Sequence, residues 1–522
     1  MAATPLLSSM TPRRSARERA RRAAWGWLAS GLLLGCSATS SDHPKGAGAT
    51  SAAGGAATTA GTPSFGGDVT MTSDFHRCPA GDTSLKCRKV DCPADSSPST
   101  TSVSGVVYDP AGRVPLYNAV VYVAEPDTLQ PLHRGAQCES CSAHFPPSAT
   151  AVTLTKSDGS FRLTDMPTGS KVPLIVQLGK WRRVVSIPRV APCTDTQLPA
   201  ELTRLPRNSS EGDLPRIAVT TGGSDALECL LKKIGVDVDE FTPDSGPGRV
   251  NLFQGYRASK TIDVGGTSQP LRTAEDLWSS ADQMLDYDMI LMGCEGEGSL
   301  WKDPEDVVPT DPPPLPRPPA MQLEVRKYAD LGGRIFGSHW HHRWIDSDDT
   351  TPDDPYPPVA SFARSAQGLD DLSVFVDSTF PKGRAFRDWL VNVKASTKPG
   401  ELALTEVEHS VDSIDPALAR RWIYGTDPEG VAGTNRVADM VQYFSFTTPV
   451  GAPECGRMVF SDLHVSIGGG KDAAKPFPER CDSSPDSELS PQEKALEFMI
   501  FDLSSCIQKE DDEVSSPITV VK

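Results

Sequence analysis

The chain has 522 residues, a formal net charge of −17 and twelve cysteines. Its length is sufficient for two or three domains with buried cores. An acidic surface repels phosphate backbones, so the charge argues against nucleic acid as a partner. Twelve cysteines are many for a cytosolic protein and ordinary for one in an oxidising compartment.

Residues 1–35 predict an export signal, because six arginines precede the apolar run AAWGWLASGLLLG, which is too short to span a bilayer. The motif LLGC, Leu33–Cys36, resembles the lipobox of bacterial lipoproteins, which implies cleavage before Cys36 and lipidation of its thiol. Ser37 follows, so the resemblance implies the outer membrane or cell surface. The alternative is an ordinary secretory signal with an incidental cysteine. We therefore expect an exported protein that contacts the membrane through a lipid anchor, with a mature net charge of about −22.

Residues 36–72 are almost entirely Ser, Ala, Gly and Thr, which predicts a flexible tether and a disordered N-terminus. Residues 73–100 carry Cys78, Cys87 and Cys92 and little apolar sequence. We expect disulfides to hold this cysteine-bearing segment together.

Residues 101–205 contain short β-branched runs separated by turn residues, which predicts a small all-β sandwich. Asp158-Gly159 predicts a hairpin, and Gly179-Lys180 predicts a two-residue turn with glycine first. The order SGVVYDPAGRVPLYNAVVYV…TKSDGSFRLTDMPTG resembles the carboxypeptidase regulatory-like (transthyretin-like) β-sandwich, which implies a structural or adhesive accessory module. Cys138 and Cys141 lie in this segment, and we favour disulfides over half of a zinc site.

Residues 206–214 form a polar linker, residues 215–510 alternate strands with helices, and residues 511–522 predict a disordered tail. The predicted strands are RIAVTT, DMILMGC and RIFGS. The predicted helices are DALECLLKKIG, capped by Ser224, then TAEDLWSSADQML, MQLEVRKYADLGG and SPQEKALEFMIFDLSSC, which opens with a capping box of Ser490 and Glu493. The sequence thus predicts a multidomain chain: the sandwich plus an α/β doubly wound (flavodoxin-like) parallel-sheet domain.

In such a sheet, ligands bind beyond the carboxyl ends of the strands. Several polar or aromatic residues fall at this edge or beside it: Glu295, Ser338, His339, Trp340, His341, His342, Trp344, His409, Asp462 and His464. Imidazole suits proton transfer and metal ligation near neutral pH. The central expectation is that His339 and His464 meet at one rim of the sheet.

KYADLGGRIFGSHW and the downstream CGRMVFSDLHVS resemble the class I glutamine amidotransferase-like fold, and GGRIFGSH resembles its trehalose-utilisation (ThuA-like) branch. The nucleophilic cysteine of the amidotransferases would fall on His339, and the glutamate that orients their histidine would fall on Ser466. Thioester chemistry is therefore excluded. The ThuA-like resemblance implies a carbohydrate-related role.

Three interpretations of the histidines remain open. His339 and His464 could bind a divalent metal with an oxygen from Glu295 or Asp462. His464, positioned by Asp462 and partnered by Glu295, could perform metal-free acid–base catalysis. Alternatively, these groups only satisfy one another. We expect a degenerate domain that binds a saccharide or envelope polymer, with a carbohydrate-active enzyme as the alternative.

The remaining cysteines predict further links. Cys229 and Cys506 lie on helices that can be neighbours in this fold, and Cys455 and Cys481 flank the DLHVS loop, so we predict these two pairs. Cys294 follows an apolar strand and predicts a buried, unreactive thiol. The insertion PTDPPPLPRPP predicts a stiff surface excursion, and DSDDTTPDDPYPP predicts a solvated acidic loop in preference to a calcium site.

Overall fold

The structure is a computed structural model that describes residues 78–79, 81–139, 141–296, 319–346, 356–369, 371–427, 437–465, 473–481 and 488–520. The predicted export signal, the predicted lipidation site Cys36, the predicted tether and most of the proline-rich and aspartate-rich insertions lie outside these residues. Within the described ranges, every helix is too short or too polar to cross a membrane.

The N-terminal strands form small sheets. In chain order they are β1 (Ser102–Val106), β2 (Val120–Val123), β3 (Ser148–Ala149), β4 (Ala151–Leu154), β5 (Ser160–Leu163), β6 (Gly169–Leu178), β7 (Trp181–Val190) and β8 (Asp195–Gln197). One sheet has the order β5-β1-β8 and the other β4-β2-β6-β7. Most neighbours are antiparallel, and apolar side chains of both sheets, such as Val103 and Val121, share one core.

The predicted two-residue turn at Gly179-Lys180 is confirmed, whereas the predicted hairpin at Asp158-Gly159 is wrong. Leu178 pairs directly with Trp181, so Gly179-Lys180 is a two-residue turn, and the φ of +55° at Gly179 explains the glycine. Asp158-Gly159 is also a tight turn. It joins β4 to β5, which lie in different sheets, so the turn crosses between layers instead of pairing the two strands.

The later strands build a ten-stranded mixed sheet and small accessory pairs. In chain order they are β9 (Ile217–Thr221), β10 (Phe241–Pro243), β11 (Val250–Gln254), β12 (Thr261–Val264), β13 (Thr267–Pro270), β14 (Met289–Met292), β15 (Arg334–Ser338), β16 (Ala360–Leu369), β17 (Leu372–Val376), β18 (Glu401–Leu404), β19 (Val407–Ile414), β20 (Arg420–Asp427), β21 (Val437–Thr448), β22 (Gly456–Ser461) and β23 (Thr519–Val520). The order in the large sheet is β10-β11-β9-β14-β15-β22-β21-β20-β17-β18.

The large sheet is parallel on one side only. The six strands from β10 to β22 in that order are parallel. The four from β21 to β18 are joined to β22 and to one another by antiparallel pairing. The prediction of a parallel sheet is therefore correct for the half that carries the histidines and wrong for the other half.

Helices cover both faces of this sheet. After the short helix α1 (Ala200–Thr203), which contacts β1 and β7 of the small sheets, they are α2 (Leu227–Lys233), α3 (Ala274–Trp278), α4 (Ala281–Met284), α5 (Pro319–Asp330), α6 (Pro381–Asn392) and α7 (Pro491–Ser504). Alternate strand residues point to opposite faces. Thus Ile217 and Val219 of β9 pack in the core with α2, α6 and α7, whereas Ala218 packs in the core with α3, α4 and α5.

The predicted helix boundaries hold with two corrections. The capping box of Ser490 and Glu493 is confirmed at the start of α7. The segment TAEDLWSSADQML forms two short helices, because Ser280 begins a second capped turn after α3. Ser224 does not cap α2, which begins at Leu227 without a side-chain cap.

The small sheets and the large sheet share a core. Trp181 of β7 contacts Phe501 of α7 edge-on, with 5.7 Å between ring centroids, and Tyr117 stacks on Phe498 at 6.0 Å. The C-terminal segment, for which the sequence predicts no structure, adds β23 in parallel beside β3. The described residues from 78 to 520 accordingly belong to one compact unit.

Five disulfides link the described residues: Cys78–Cys87, Cys92–Cys193, Cys138–Cys455, Cys141–Cys506 and Cys229–Cys481. They confirm that disulfides hold the cysteine-bearing segment, and they indicate an extracytoplasmic protein. All nine cysteines expected in disulfides are bonded, but both predicted pairs are wrong: Cys229 is bonded to Cys481, Cys455 to Cys138, and Cys506 to Cys141. Cys294 is free and buried, as predicted.

Candidate functional site

Three side chains with metal-binding atoms converge at the carboxyl edge of the large sheet. Cys294, His339 and His464 follow β14, β15 and β22, which are adjacent parallel strands, so their ends lie side by side. The donor atoms of all three residues lie within 4.8 Å of one another. The expected meeting of His339 with His464 is confirmed.

The contacts within this cluster are short and buried. Sγ of Cys294 lies 3.4 Å from Nδ1 of His339, and the rings of His339 and His464 are 5.2 Å apart between centroids. The three residues are 0%, 5% and 8% exposed. Nε2 of His339 and Nε2 of His464 have no hydrogen-bond partner within the described part of the chain. Each such buried polar atom costs about 1–3 kcal/mol if nothing binds it.

A carboxylate stands on the far side of the His339 ring. Oε2 of Glu408, on β19, lies 3.6 Å from Nε2 of His339. The side chain of Glu408 is 20% exposed, whereas that of His339 is 6% exposed. The imidazole is therefore placed between a thiol on one nitrogen and a carboxylate on the other.

The backbone at His339 has a left-handed conformation. Its φ is +43°, which is uncommon for a residue other than glycine. It lies at the sharp turn between β15 and the short 3-10 helix His339–Trp344. Such conformations cost about 1–3 kcal/mol and cluster at functional sites. The turn directs the imidazole toward the ends of the neighbouring strands.

Burial controls protonation in the cluster. It lowers the pKa of His339 well below its usual value, with a further contribution from His464, and it lowers the pKa of His464. Burial also raises the pKa of the Cys294 thiol. The cluster consequently contains two neutral imidazoles and a protonated thiol near neutral pH.

The two carboxylates predicted as site residues are bound to other groups. Glu295 accepts a hydrogen bond from the backbone N–H of Tyr256 at 2.9 Å, and burial raises its pKa to about 7. Asp462 accepts hydrogen bonds from the backbone N–H and the hydroxyl of Ser410, at 2.9 Å and 2.7 Å, and burial raises its pKa to about 7. Both oxygens of Asp462 are therefore engaged by Ser410.

The other predicted binding residues have mainly structural contacts. Trp344 is buried and donates its ring N–H to Nδ1 of His341 at 2.9 Å. His342 stacks on Phe362, with 5.3 Å between ring centroids. Trp340 is half-buried, and its ring lies 5.1 Å from that of His339. Trp340 is thus the predicted aromatic residue that lies beside the cluster and retains exposure.

His409 lies in a separate group of charged residues. Its Nδ1 is 2.7 Å from Oδ2 of Asp427, and its Nε2 is 2.9 Å from Oδ1 of Asp412. His409 is completely buried. Carboxylate oxygens lie within hydrogen-bond distance of both ring nitrogens, so these contacts hold the ring in place.

Sequence reasoning missed three residues of the site. The sequence predicts an inert thiol at Cys294, and no local pattern marks Glu408 or Asp225. Asp225 lies in the loop after β9 and accepts hydrogen bonds from Ser338 and Val465, the neighbours of His339 and His464. The position of Cys294 at a strand end was a usable signal, because the same position led to His339 and His464. Glu408 and Asp225 depend on tertiary contacts that carry no local sequence pattern.

The sequence matches no protein-family model, and no curated protein matches it. Among solved structures, the chain is similar to a ThuA-like protein from Bacteroides uniformis, with 11% identity and a TM-score of 0.26, over 51% of this chain and 87% of that one. Two interface mutants of the type II cohesin–X-dockerin complex from Acetivibrio cellulolyticus also align. Their identities are 16% and 17% and their TM-scores 0.12 and 0.14; the alignments cover 28% and 26% of this chain and 79% and 85% of theirs.

Proposed function

We propose that this is an exported metal-binding protein that holds one transition-metal ion, of the zinc class, with Cys294, His339 and His464. The observation that carries the proposal is the convergence of one donor atom from each of three buried side chains within 4.8 Å, together with the buried Nε2 of His464, which has no hydrogen-bond partner among the described residues. Thiolate and imidazole are the ligands that zinc and copper prefer in proteins.

The distance between Cys294 and His339 fits such an ion. With metal–sulfur bonds of about 2.3 Å and metal–nitrogen bonds of about 2.0–2.1 Å, tetrahedral ligand atoms stand roughly 3.5 Å apart. Sγ of Cys294 and Nδ1 of His339 are 3.4 Å apart. Binding through these atoms would leave Nε2–H of His339 directed at Glu408, and a carboxylate behind a ligating histidine is the usual outer-sphere partner.

The main competing assignment is a cysteine nucleophile activated by His339, with Glu408 as the orienting acid. The short distance between Cys294 and His339 supports it. Two features favour the metal. Cys294 is 0% exposed, so a substrate cannot reach its sulfur. The nucleophile assignment also leaves His464 without a role.

The test is metal content and Co²⁺ substitution. The full chain, exported so that its disulfides form and purified without chelator, is expected to carry one equivalent of metal. Its Co²⁺ form should show thiolate-to-metal charge-transfer absorption. Cys294→Ser should abolish that absorption and His464→Gln should weaken binding by at least about 100-fold. His339→Asn is the preferred third variant, because asparagine tolerates the left-handed backbone.

His133→Ala is the matched control, since His133 is exposed and remote in sequence from the cluster. It should leave metal content unchanged. Wild-type protein that takes up no metal after reconstitution, or a C294S variant that binds as well as wild type, would overturn the proposal. Rapid alkylation of Cys294 at neutral pH in metal-free folded protein would favour the cysteine nucleophile.

A saccharide or envelope polymer is a second candidate ligand, supported by the half-buried Trp340 beside His339. Aromatic faces contribute apolar contact area with a polar edge. Loss of polysaccharide binding in Trp340→Ala, with metal content unchanged, would support it; equal binding would exclude it.

Lipid anchoring at Cys36 on the outer membrane is likewise a proposal, supported by the LLGC motif and by the disulfides, which fit an exported protein. Release of Cys36→Ser from the membrane fraction is the expected result. We further propose that residues 101–205 are a carboxypeptidase regulatory-like sandwich and that the large sheet with helices on both faces is a doubly wound, ThuA-like domain.

A further inference from the structure

Asp225 contacts the three chain segments that carry the proposed metal ligands. It lies in the loop between β9 and α2 and is 0% exposed. We propose that Asp225 is the positioning residue of the metal site: it fixes the relative placement of Cys294, His339 and His464 without touching the ion. This inference rests on the metal-binding function proposed above.

Each contact of Asp225 falls on a ligand or its immediate neighbour. Its backbone N–H donates to the carbonyl oxygen of Cys294 at 3.1 Å. Oδ2 accepts a hydrogen bond from the hydroxyl of Ser338 at 2.5 Å, and Ser338 directly precedes His339. Oδ1 accepts one from the backbone N–H of Val465 at 2.8 Å, and Val465 directly follows His464. One carboxylate therefore bridges the ends of β15 and β22.

The loop that carries Asp225 is itself held tightly against the end of β14. A Cβ atom on Gly222 would lie 2.0 Å from the carbonyl oxygen of Cys294, so only glycine allows this approach. The backbone N–H of Ser224 also donates to that carbonyl, at 3.1 Å. The backbone thus fixes Asp225 relative to Cys294. The carboxylate of Asp225 then holds the segments that carry His339 and His464 at a fixed distance from Cys294.

The strained turn at His339 explains why such an anchor is needed. Ser338 is the last residue of β15, and the φ of +43° follows immediately at His339. The hydrogen bond from Ser338 to Asp225 holds the strand at the point where the backbone changes direction. Without it, the turn is free to relax and to carry the imidazole away from Cys294. Removing an outer-sphere partner typically weakens metal binding by about 10–100-fold.

The experiment compares Asp225→Ala with Asp225→Asn on the full chain, using Co²⁺ as the probe. D225A should weaken Co²⁺ affinity by about 10–100-fold and shift the thiolate charge-transfer band, because the ligands no longer converge. D225N should stay within a few-fold of wild type, since its side-chain oxygen can accept from Val465 and its amide can donate to Ser338. Ser338→Ala removes one of the bridging contacts and should give an intermediate loss.

Thr220→Val is the matched control. Thr220 is buried near the end of β9, the strand that precedes Asp225, its hydroxyl has no hydrogen-bond partner among the described residues, and valine has the same shape as threonine. It should leave affinity and spectrum unchanged. A wild-type protein that binds no Co²⁺ overturns the metal-binding function and this role together. If wild type binds Co²⁺ and a folded D225A variant has the same affinity and spectrum, only the role of Asp225 is overturned. The role is also overturned if D225N binds Co²⁺ as weakly as D225A.

Discussion

The buried carboxyl group of Asp109 is expected to contribute stability that is lost as pH rises. Asp109 follows β1 and is 1% exposed. Its Oδ1 accepts hydrogen bonds from the backbone N–H groups of Arg113 and Val114, at 2.7 Å and 3.1 Å, whereas Oδ2 has no partner within the described residues. Burial raises the pKa of Asp109 to about 6. Glu497 of α7, also fully buried, has a raised pKa to which Asp109 contributes.

The magnitude follows from proton linkage. The unfolded chain releases the Asp109 proton near its ordinary pKa of 3.8, and the folded chain releases it near 6. Between these values the folded state binds more protons, so the free energy of unfolding falls as pH rises through this window. A difference of about two pKa units corresponds to about 3 kcal/mol. Asp109→Asn keeps the Oδ1 acceptor and has no charge, so it should gain up to that amount above the window.

The assay is urea unfolding followed by tryptophan fluorescence, with disulfides intact, near pH 4 and near pH 7. D109N should match wild type at the lower pH and be more stable at the higher one, and Glu497→Gln should shift stability in the same direction. Asp127→Asn, at an exposed position, is the control and should show no such difference. A D109N variant that is destabilised equally at both pH values would refute the reasoning.

Two further predictions concern the links that hold the molecule together. Replacing both Cys138 and Cys455 by alanine removes a disulfide between residues 317 apart and should lower the free energy of unfolding by about 2–5 kcal/mol, measured as a lower Tm. Removing the Cys78–Cys87 disulfide, whose residues are nine apart, should lower the stability less, and equal losses would contradict this. Asp502→Asn leaves the buried cations Lys382 and Arg457 short of a carboxylate and should cost about 3–5 kcal/mol in urea unfolding. Asp511→Asn, whose side chain is 73% exposed in its pair with Arg420, should cost less than about 1 kcal/mol, and a similar cost for both would argue against a buried network.

Local patterns in the sequence predict the strands and helices that position the site. RIFGS is a strand with the expected bounds, Arg334–Ser338, because an apolar run follows two glycines that end the preceding helix. The capping box at Ser490 correctly begins α7. From such elements alone it followed that His339 and His464 lie at one edge, since the carboxyl ends of neighbouring parallel strands meet there.

Features that depend on contacts between distant segments could not be predicted. The antiparallel half of the sheet arises because β21 returns beside β22, and strand direction leaves no mark on periodicity. The pairing of Cys229 with Cys481 depends on how two loops pack. The acidic neighbour Glu295 makes Cys294 look unreactive in the sequence, but Glu295 is hydrogen-bonded to Tyr256, and the group that contacts the thiol is the imidazole of His339.

The strand β23 beside β3 and the bonds Cys138–Cys455 and Cys141–Cys506 tie early residues to late ones. Exported chains reach the far side of a membrane N-terminus first. The small sheets near the N-terminus would therefore emerge hundreds of residues before Cys455 and Cys506, while Cys138 and Cys141 are still without their partners. If the chain crosses a membrane in this order, these two bonds can form only after Cys455 and Cys506 have followed, and a bond between Cys138 and Cys141 formed in the interval would have to be broken again.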